Sequence, residues 1–144
     1  MATGCTGAGS ITTPEGSPSG DVVVDGQHYD KPAEVLEAQT KEELNIVVWK
    51  DFTAEKVYEL PASGTKVLDI AGKTVRQPDG EDALLTNLGA LTIVDSSVTP
   101  QETSKGVYRG RLYGDIVNKG VLTITGGYID GTIINDGGII ANAL

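Results

Sequence analysis

Four aspartates stand on or beside short apolar runs of this chain, Asp69, Asp95, Asp115 and Asp130, and Arg109 and Arg111 lie among them. Two chemistries on polysaccharides use such groups. An eliminating enzyme needs a cluster of acidic calcium ligands beside a basic residue, and a hydrolase needs two carboxylates at a set separation. Both require the carboxylates to converge. The four aspartates do not share one position of the repeat described below, so stacking is not expected to bring them together, and each reads as solvated surface.

The other reactive residue types are as sparse. His28 is the sole histidine, with no serine or cysteine implied beside it for a triad. There is no Cys/His cluster and no EF-hand loop, so no metal is expected. The glycine-rich stretches "GAG" and "GGYIDG" lack the lysine and hydroxyl residue of a phosphate loop, and no cofactor is expected. What remains is "GVYRGRLYGD", which offers Tyr108, Arg109, Arg111 and Tyr113. These could contact a sugar or a protein, and could equally be ordinary outward-facing strand residues.

Composition narrows the partners. With 20 acidic against 11 basic residues the net charge is −9, which argues against nucleic acid and anionic membranes as partners, because phosphate binding needs clustered Lys and Arg. The single cysteine, Cys5, rules out an internal disulfide framework. No run of 18 apolar residues and no leader-like segment are present, so with Met1 as the start, export by the usual route is not expected. The 144 residues suit about one domain, and 19 glycines with no collagen period punctuate turns.

The elements follow from this punctuation. Residues 1–20 carry almost nothing to bury and read as an extended or disordered arm. "DVVVDGQHYDKP" reads as a strand, a turn at Asp25-Gly26 and a second strand through Tyr29. "PAEVLEAQTKEEL" could give one or two helical turns, with Thr40 and Glu43 spaced as a capping box. From residue 45 onward strands and glycine turns alternate with no helical period.

Those strands repeat. Leu68-Asp69-Ile70, Leu91-Thr92-Ile93, Leu122-Thr123-Ile124 and Ile139-Ile140-Ala141 align at offsets of 23, 31 and 17, and Ile46-Val47-Val48 precedes the first by 22. "DIVNKG" and "TIINDG" match at 17. Units of this length, all strand and turn, suit coils of a parallel β-solenoid, each burying its apolar face against the next. The long offset implies an insertion within 96–110. Leu68, Ile70, Leu91, Ile93, Leu122 and Ile124 should stack inward, with Thr92 and Thr123 outward. Asn87, Asn118 and Asn135 each precede a glycine by two residues. Either they form a ladder along the stack, or each merely tolerates a left-handed turn. The fold expected is all-β, a short right-handed solenoid of about five coils after a small N-terminal segment; an antiparallel β-sandwich is the alternative. The last copy would leave Ile139, Ile140 and Leu144 on an edge that neighbouring subunits or further chain should cover.

Two resemblances attach to these residues. "ELPASGTKVLDIAGKTV", "LLTNLGALTIVDSS" and "IVNKGVLTITGG" resemble the opening coils of pectate-lyase-like right-handed β-helices, over about 45–144. This likeness implies the fold and says little of activity. "SGDVVVDGQHYDKPAEVLEAQT" resembles phage head fibre proteins, in Val22 to Val24, Tyr29, Lys31-Pro32, Val35-Leu36 and Gln39. That likeness implies a non-enzymatic virion protein, anchored to the major capsid protein through residues 21–44, trimeric, and assembled in the host cytoplasm. Val22, Val23, Val24, Tyr29, Pro32, Val35 and Leu36 would then make the capsid or trimer contact. The part from 45 to 144 would project, with Tyr108, Arg109, Arg111 and Tyr113 facing a host or mucus glycan. Rival expectations are a pectate-lyase-like carbohydrate-binding or carbohydrate-active protein, and a fragment of a bacterial surface adhesin.

Overall fold

The computed structural model describes residues 21–142, and the arm expected over 1–20 and the expected edge residue Leu144 lie outside them. Its first strands, β1 (Val22–Val24) and β2 (Gln27–Tyr29), form a hairpin. Asp25 and Gly26 both have positive φ, as a two-residue hairpin turn requires. One helical turn follows, α1 (Ala33–Leu36), and buries Val35 and Leu36. It ends before Thr40, whose hydroxyl instead accepts from the Glu42 N–H at 3.1 Å, so the expected capping box at Thr40 and Glu43 caps no helix.

From β3 (Leu44–Val48) the chain visits three sheets in fixed rotation. It passes to β4 (Phe52–Thr53) in a second sheet, to β5 (Tyr58–Leu60) in a third, and returns to the first as β6 (Thr65–Asp69). The next circuits are β7 (Thr74–Arg76), β8 (Leu85–Asn87) and β9 (Ala90–Val94), then β10 (Arg111–Tyr113), β11 (Ile116–Asn118) and β12 (Val121–Ile124). β13 (Tyr128–Asp130), β14 (Ile133–Asn135) and β15 (Ile139–Asn142) complete the order. Each of these strands pairs in parallel with its counterpart one circuit away. The protein is all-β with parallel sheets, and the antiparallel sandwich is overturned. Among the described residues the antiparallel pairs are β1 with β2 and β1 with β3.

The period-2 alternation of the strands builds one core. Leu68, Ile70, Leu91, Ile93, Leu122 and Ile124 are all buried, and Thr92 pairs with Thr123 on the outer side. Val22, Val24, Val35 and Leu36 belong to the same core as Ile46 and Leu60, so the boundary expected at 44/45 does not separate two cores.

Two registers differ from the letter-by-letter alignment. Leu68 pairs with Ile93 rather than Leu91, and Lys66 takes the place opposite Leu91. One inward column therefore runs Leu44, Lys66, Leu91, Leu122, Ile140. Ile140, not Ile139, lies opposite Leu122, because the last corner carries one residue more, Gly138. The 22- and 31-residue offsets, and the corner match at 17, are registers of the fold.

The asparagines form a ladder. Asn87 Nδ2 donates to Asn118 Oδ1 at 3.0 Å, and Asn118 Nδ2 to Asn135 Oδ1 at 3.0 Å. None of the three has positive φ, which removes the left-handed-turn explanation. Gly89 and Gly120 do not have it either; they are glycines because the chain passes itself closely there. A Cβ on Gly120 would run into the carbonyl oxygen of Gly89, and one on Gly89 into that of Pro61.

The expected insertion is also present. It contains a second short helix, α2 (Pro100–Ser104), where Thr99 and Glu102 make the capping box.

Candidate functional site

The four aspartates have structural employment or stand apart. Asp95 is buried, and its Oδ1 accepts from the Gly72 N–H at 3.0 Å, the Ser97 N–H at 3.1 Å and the Ser97 hydroxyl at 2.6 Å. Its Oδ2 accepts from the Gly110 N–H at 2.7 Å. Asp69 Oδ1 accepts from Ala71 N–H and Ser96 N–H, both at 2.9 Å. Contrary to expectation, the corner does bring Asp69 and Asp95 together, each bridging to the other's circuit. Asp69 Oδ1 and both oxygens of Asp95 accept from backbone N–H groups, including those of Ala71 and Gly72, which both have positive φ. Asp115 Oδ1 accepts from the Thr132 N–H at 2.8 Å, and Asp130 is an exposed residue of β13. Among the described residues, no group of three or more His, Cys, Asp or Glu could hold a metal ion.

The Asp95 corner yields a pH expectation. Burial would raise the Asp95 pKa, but the donors from Ser97, Gly110 and Gly72 outweigh it and hold the carboxyl below its ordinary value. A carboxyl depressed in the folded state contributes stability above its unfolded pKa and loses it as pH falls through the folded pKa. Asp95→Asn should therefore cost about 1–3 kcal/mol at neutral pH, and its urea midpoint should converge with that of the wild type as pH drops below about 4.

Of the four expected ligand residues, Arg109 is exposed and engaged with α2. It donates to both oxygens of Glu102, at 3.0 and 2.8 Å, and to the Ser97 carbonyl at 2.8 Å. The same guanidinium, with the Thr99 N–H, holds the exposed Glu102 carboxyl at about 2. Arg109 thus ties α2 to the strand corner.

The other three lie together on or beside the outer face of the second sheet. Parallel register places Arg111 between Thr74 and Tyr128, and Tyr113 between Arg76 and Asp130. Each column carries a guanidinium one strand from a ring: Arg76 lies 4.7 Å from the Tyr113 centroid, and Arg111 lies 5.6 Å from that of Tyr128. Tyr108 adds a third ring, 5.8 Å from Tyr128 and tilted by 51°. Tyr108 and Tyr128 are exposed. Sequence reasoning missed Tyr128, Arg76 and the place of Asp130. The 17-residue offset already carried the signal for two of them, since it sets Tyr128 on Arg111 and Asp130 on Tyr113.

The seven expected capsid or trimer residues divide differently. Val22, Val24, Pro32, Val35 and Leu36 are buried in this chain, and Tyr29 packs partly buried against the core. Val23 alone lies on the outer side of the first sheet, paired with His28 and Val47. Trp49 joins that patch, 46% exposed and edge-on to His28 with centroids 5.0 Å apart. The alternation in "NIVVW" contained this signal, because Ile46 and Val48 are inward.

Compared with protein-family models, with curated proteins and with solved structures, the chain matches none.

Proposed function

We propose that the chain is a short right-handed β-solenoid serving as a non-enzymatic structural protein of a virion, a head fibre or decoration protein. The observation that carries a structural over a catalytic reading is the employment of Asp69, Asp95 and Asp115, whose carboxylates bind backbone N–H groups of neighbouring corners. The rotation through three parallel sheets supports the solenoid, with right-handed crossovers as parallel connections strongly prefer. Capsid attachment rests on the likeness of residues 19–40 to head fibre proteins, and assembly in the host cytoplasm follows from that reading. Burial of most of that segment moves the attachment surface to Val23, His28 and Trp49, since exposed aromatic residues supply much of the binding energy of protein interfaces. Attached copies form a homotrimer, and a repetitive shell gives weak sites high avidity.

A second reading has its own observation. The rings of Tyr108, Tyr113 and Tyr128 with Arg76 and Arg111 suit a sugar-binding face, by which the fibre would hold a host or mucus glycan. On a glycan array, Tyr128→Ala should lower any binding by about tenfold, in line with the ~1–2 kcal/mol of a stacked ring, without shifting the melting temperature. Light scattering tests the principal reading. The expected mass is three times the 15.0 kDa of the chain. A monomer that cleaves an acidic polysaccharide in calcium would overturn it in favour of a pectate-lyase-like enzyme.

A further inference from the structure

We infer that the outer face of the second sheet binds a saccharide that bears carboxylates, with Arg76 and Arg111 clasping the carboxylates and the Tyr108 and Tyr128 rings carrying the sugar faces. This rests on the sugar-binding reading of the same residues and adds the charge of the ligand.

Charge selects the ligand. All three arginines of the chain, Arg76, Arg109 and Arg111, lie on or beside this sheet. Arg109 is neutralised by Glu102. Arg76 and Arg111 are exposed, and among the described residues neither has a carboxylate in ion-pair reach, although the chain holds 20 acidic residues. Each instead lies over a tyrosine one strand further along the stack, Arg76 at 4.7 Å from Tyr113 and Arg111 at 5.6 Å from Tyr128. Stacking engages the flat face of a guanidinium and leaves its rim of N–H groups free to donate in pairs to a carboxylate. The rings thus hold two unneutralised forks at the surface of a chain whose net charge is −9.

Register sets their spacing. Arg76 and Arg111 stand on adjacent strands, offset by two residues, because Arg111 pairs with Thr74 and Arg76 with Tyr113. Strand spacing and rise put their stems about 8 Å apart. Both side chains lean towards β13, so the forks keep this offset, and neighbouring units of one oligosaccharide can reach both. Tyr108 and Tyr128, 40% and 41% exposed, present apolar ring faces beside them. A coil stacked beyond β13 would lengthen these columns and leave the face open, since side chains stand perpendicular to the sheet.

The rest of the face favours a sugar over an acidic protein. Its other outward positions are Thr53, Thr74 and Asp130, and none is aliphatic. The centre of a protein interface is apolar and depleted of charge. Hydroxyl and carboxylate groups around exposed rings instead match the hydroxyls of a saccharide, to which Asp130 offers acceptors only.

Calorimetry on the whole chain tests this with short oligomers of hyaluronan, alginate and polysialic acid, each beside its carboxyl-reduced form, in EDTA at low salt. At least one acidic oligomer should bind about tenfold more tightly than its reduced form, and added salt should weaken it. Arg76→Gln and Arg111→Gln should each remove most of that preference without moving the melting temperature, because both side chains are exposed. Reduced forms that bind as tightly as the acidic ones overturn the inference, as does tighter binding of polyglutamate, which would make the ligand an acidic peptide. Equal binding that is lost in Tyr128→Ala leaves the sugar-binding face standing. No binding of either form overturns both.

Discussion

Asn118→Ala should lower unfolding stability by about 3 kcal/mol, whereas Asn135→Ala should cost no more than about 0.5 kcal/mol. Both remove the same amide, at successive positions of one ladder. Asn118 is fully buried, donates to three oxygens and accepts from Asn87. Truncation opens a cavity at a fully buried position and removes the ladder bonds to Asn87 and Asn135 together with the donor to the Ile139 carbonyl, while the Asn87 amide keeps Gly89 O and Val121 O and the Gly120 carbonyl keeps the Ile139 N–H. Asn135 is exposed, so water takes its place. Urea melts of the two variants check the asymmetry. Equal losses would mean that the amides act as independent turn residues rather than as a buried network.

Lys66→Met should raise stability by about 1–3 kcal/mol, a gain at a single position. Lys66 is 2% exposed, occupies a column otherwise made of Leu44, Leu91, Leu122 and Ile140, and its Nζ has no hydrogen-bond partner among the described residues. Methionine keeps most of the stem's volume and removes the charge. Burial lowers the lysine pKa. Below the folded pKa the amine is charged in both states, and the full cost is present. As pH rises through the folded pKa, the native state gives up its proton first while the unfolded chain keeps it, so wild-type stability increases until the ordinary lysine value of about 10.4. The advantage of the methionine variant should thus be greatest near neutral pH and shrink towards pH 10. A constant advantage would mean that the ammonium reaches water.

How much of this was legible depended on whether a residue obeyed the pattern. The inward parity of Leu91, Ile93, Leu122 and Ile124 follows from alternation alone, and the 31-residue offset survives because the insertion lies wholly between two strands. The Leu68 register was misread because alignment by letter refuses to put a lysine into an apolar column, and only packing places Lys66 there. The last strand slipped by one because Gly137-Gly138 looks like the Gly-x of earlier corners while holding an extra residue. The ladder was undecidable beforehand, since an asparagine before a glycine has the same letters whether its side chain faces a turn or the next rung.

The candidate faces show the same division. Tyr128 over Arg111 was available from the 17-residue repeat, but Arg76 was not, because 37 residues and α2 separate it from Tyr113. The salt bridge that joins Arg109 to Glu102 depends on how α2 folds back, which no periodicity encodes. Likewise, the valines of the N-terminal motif read as contact residues until β1 is seen lying against β3, where Val22 meets Val48 inside this chain's own core.

The most direct test of the proposed virion role is co-sedimentation of the purified chain with intact phage capsids. The account expects the chain to pellet with the capsids in multiples of three per site, and Trp49→Ala, on the exposed N-terminal patch, to remain in the supernatant while melting like the wild type. A wild-type chain that stays in the supernatant as a monomer, with capsids in large excess, would contradict it.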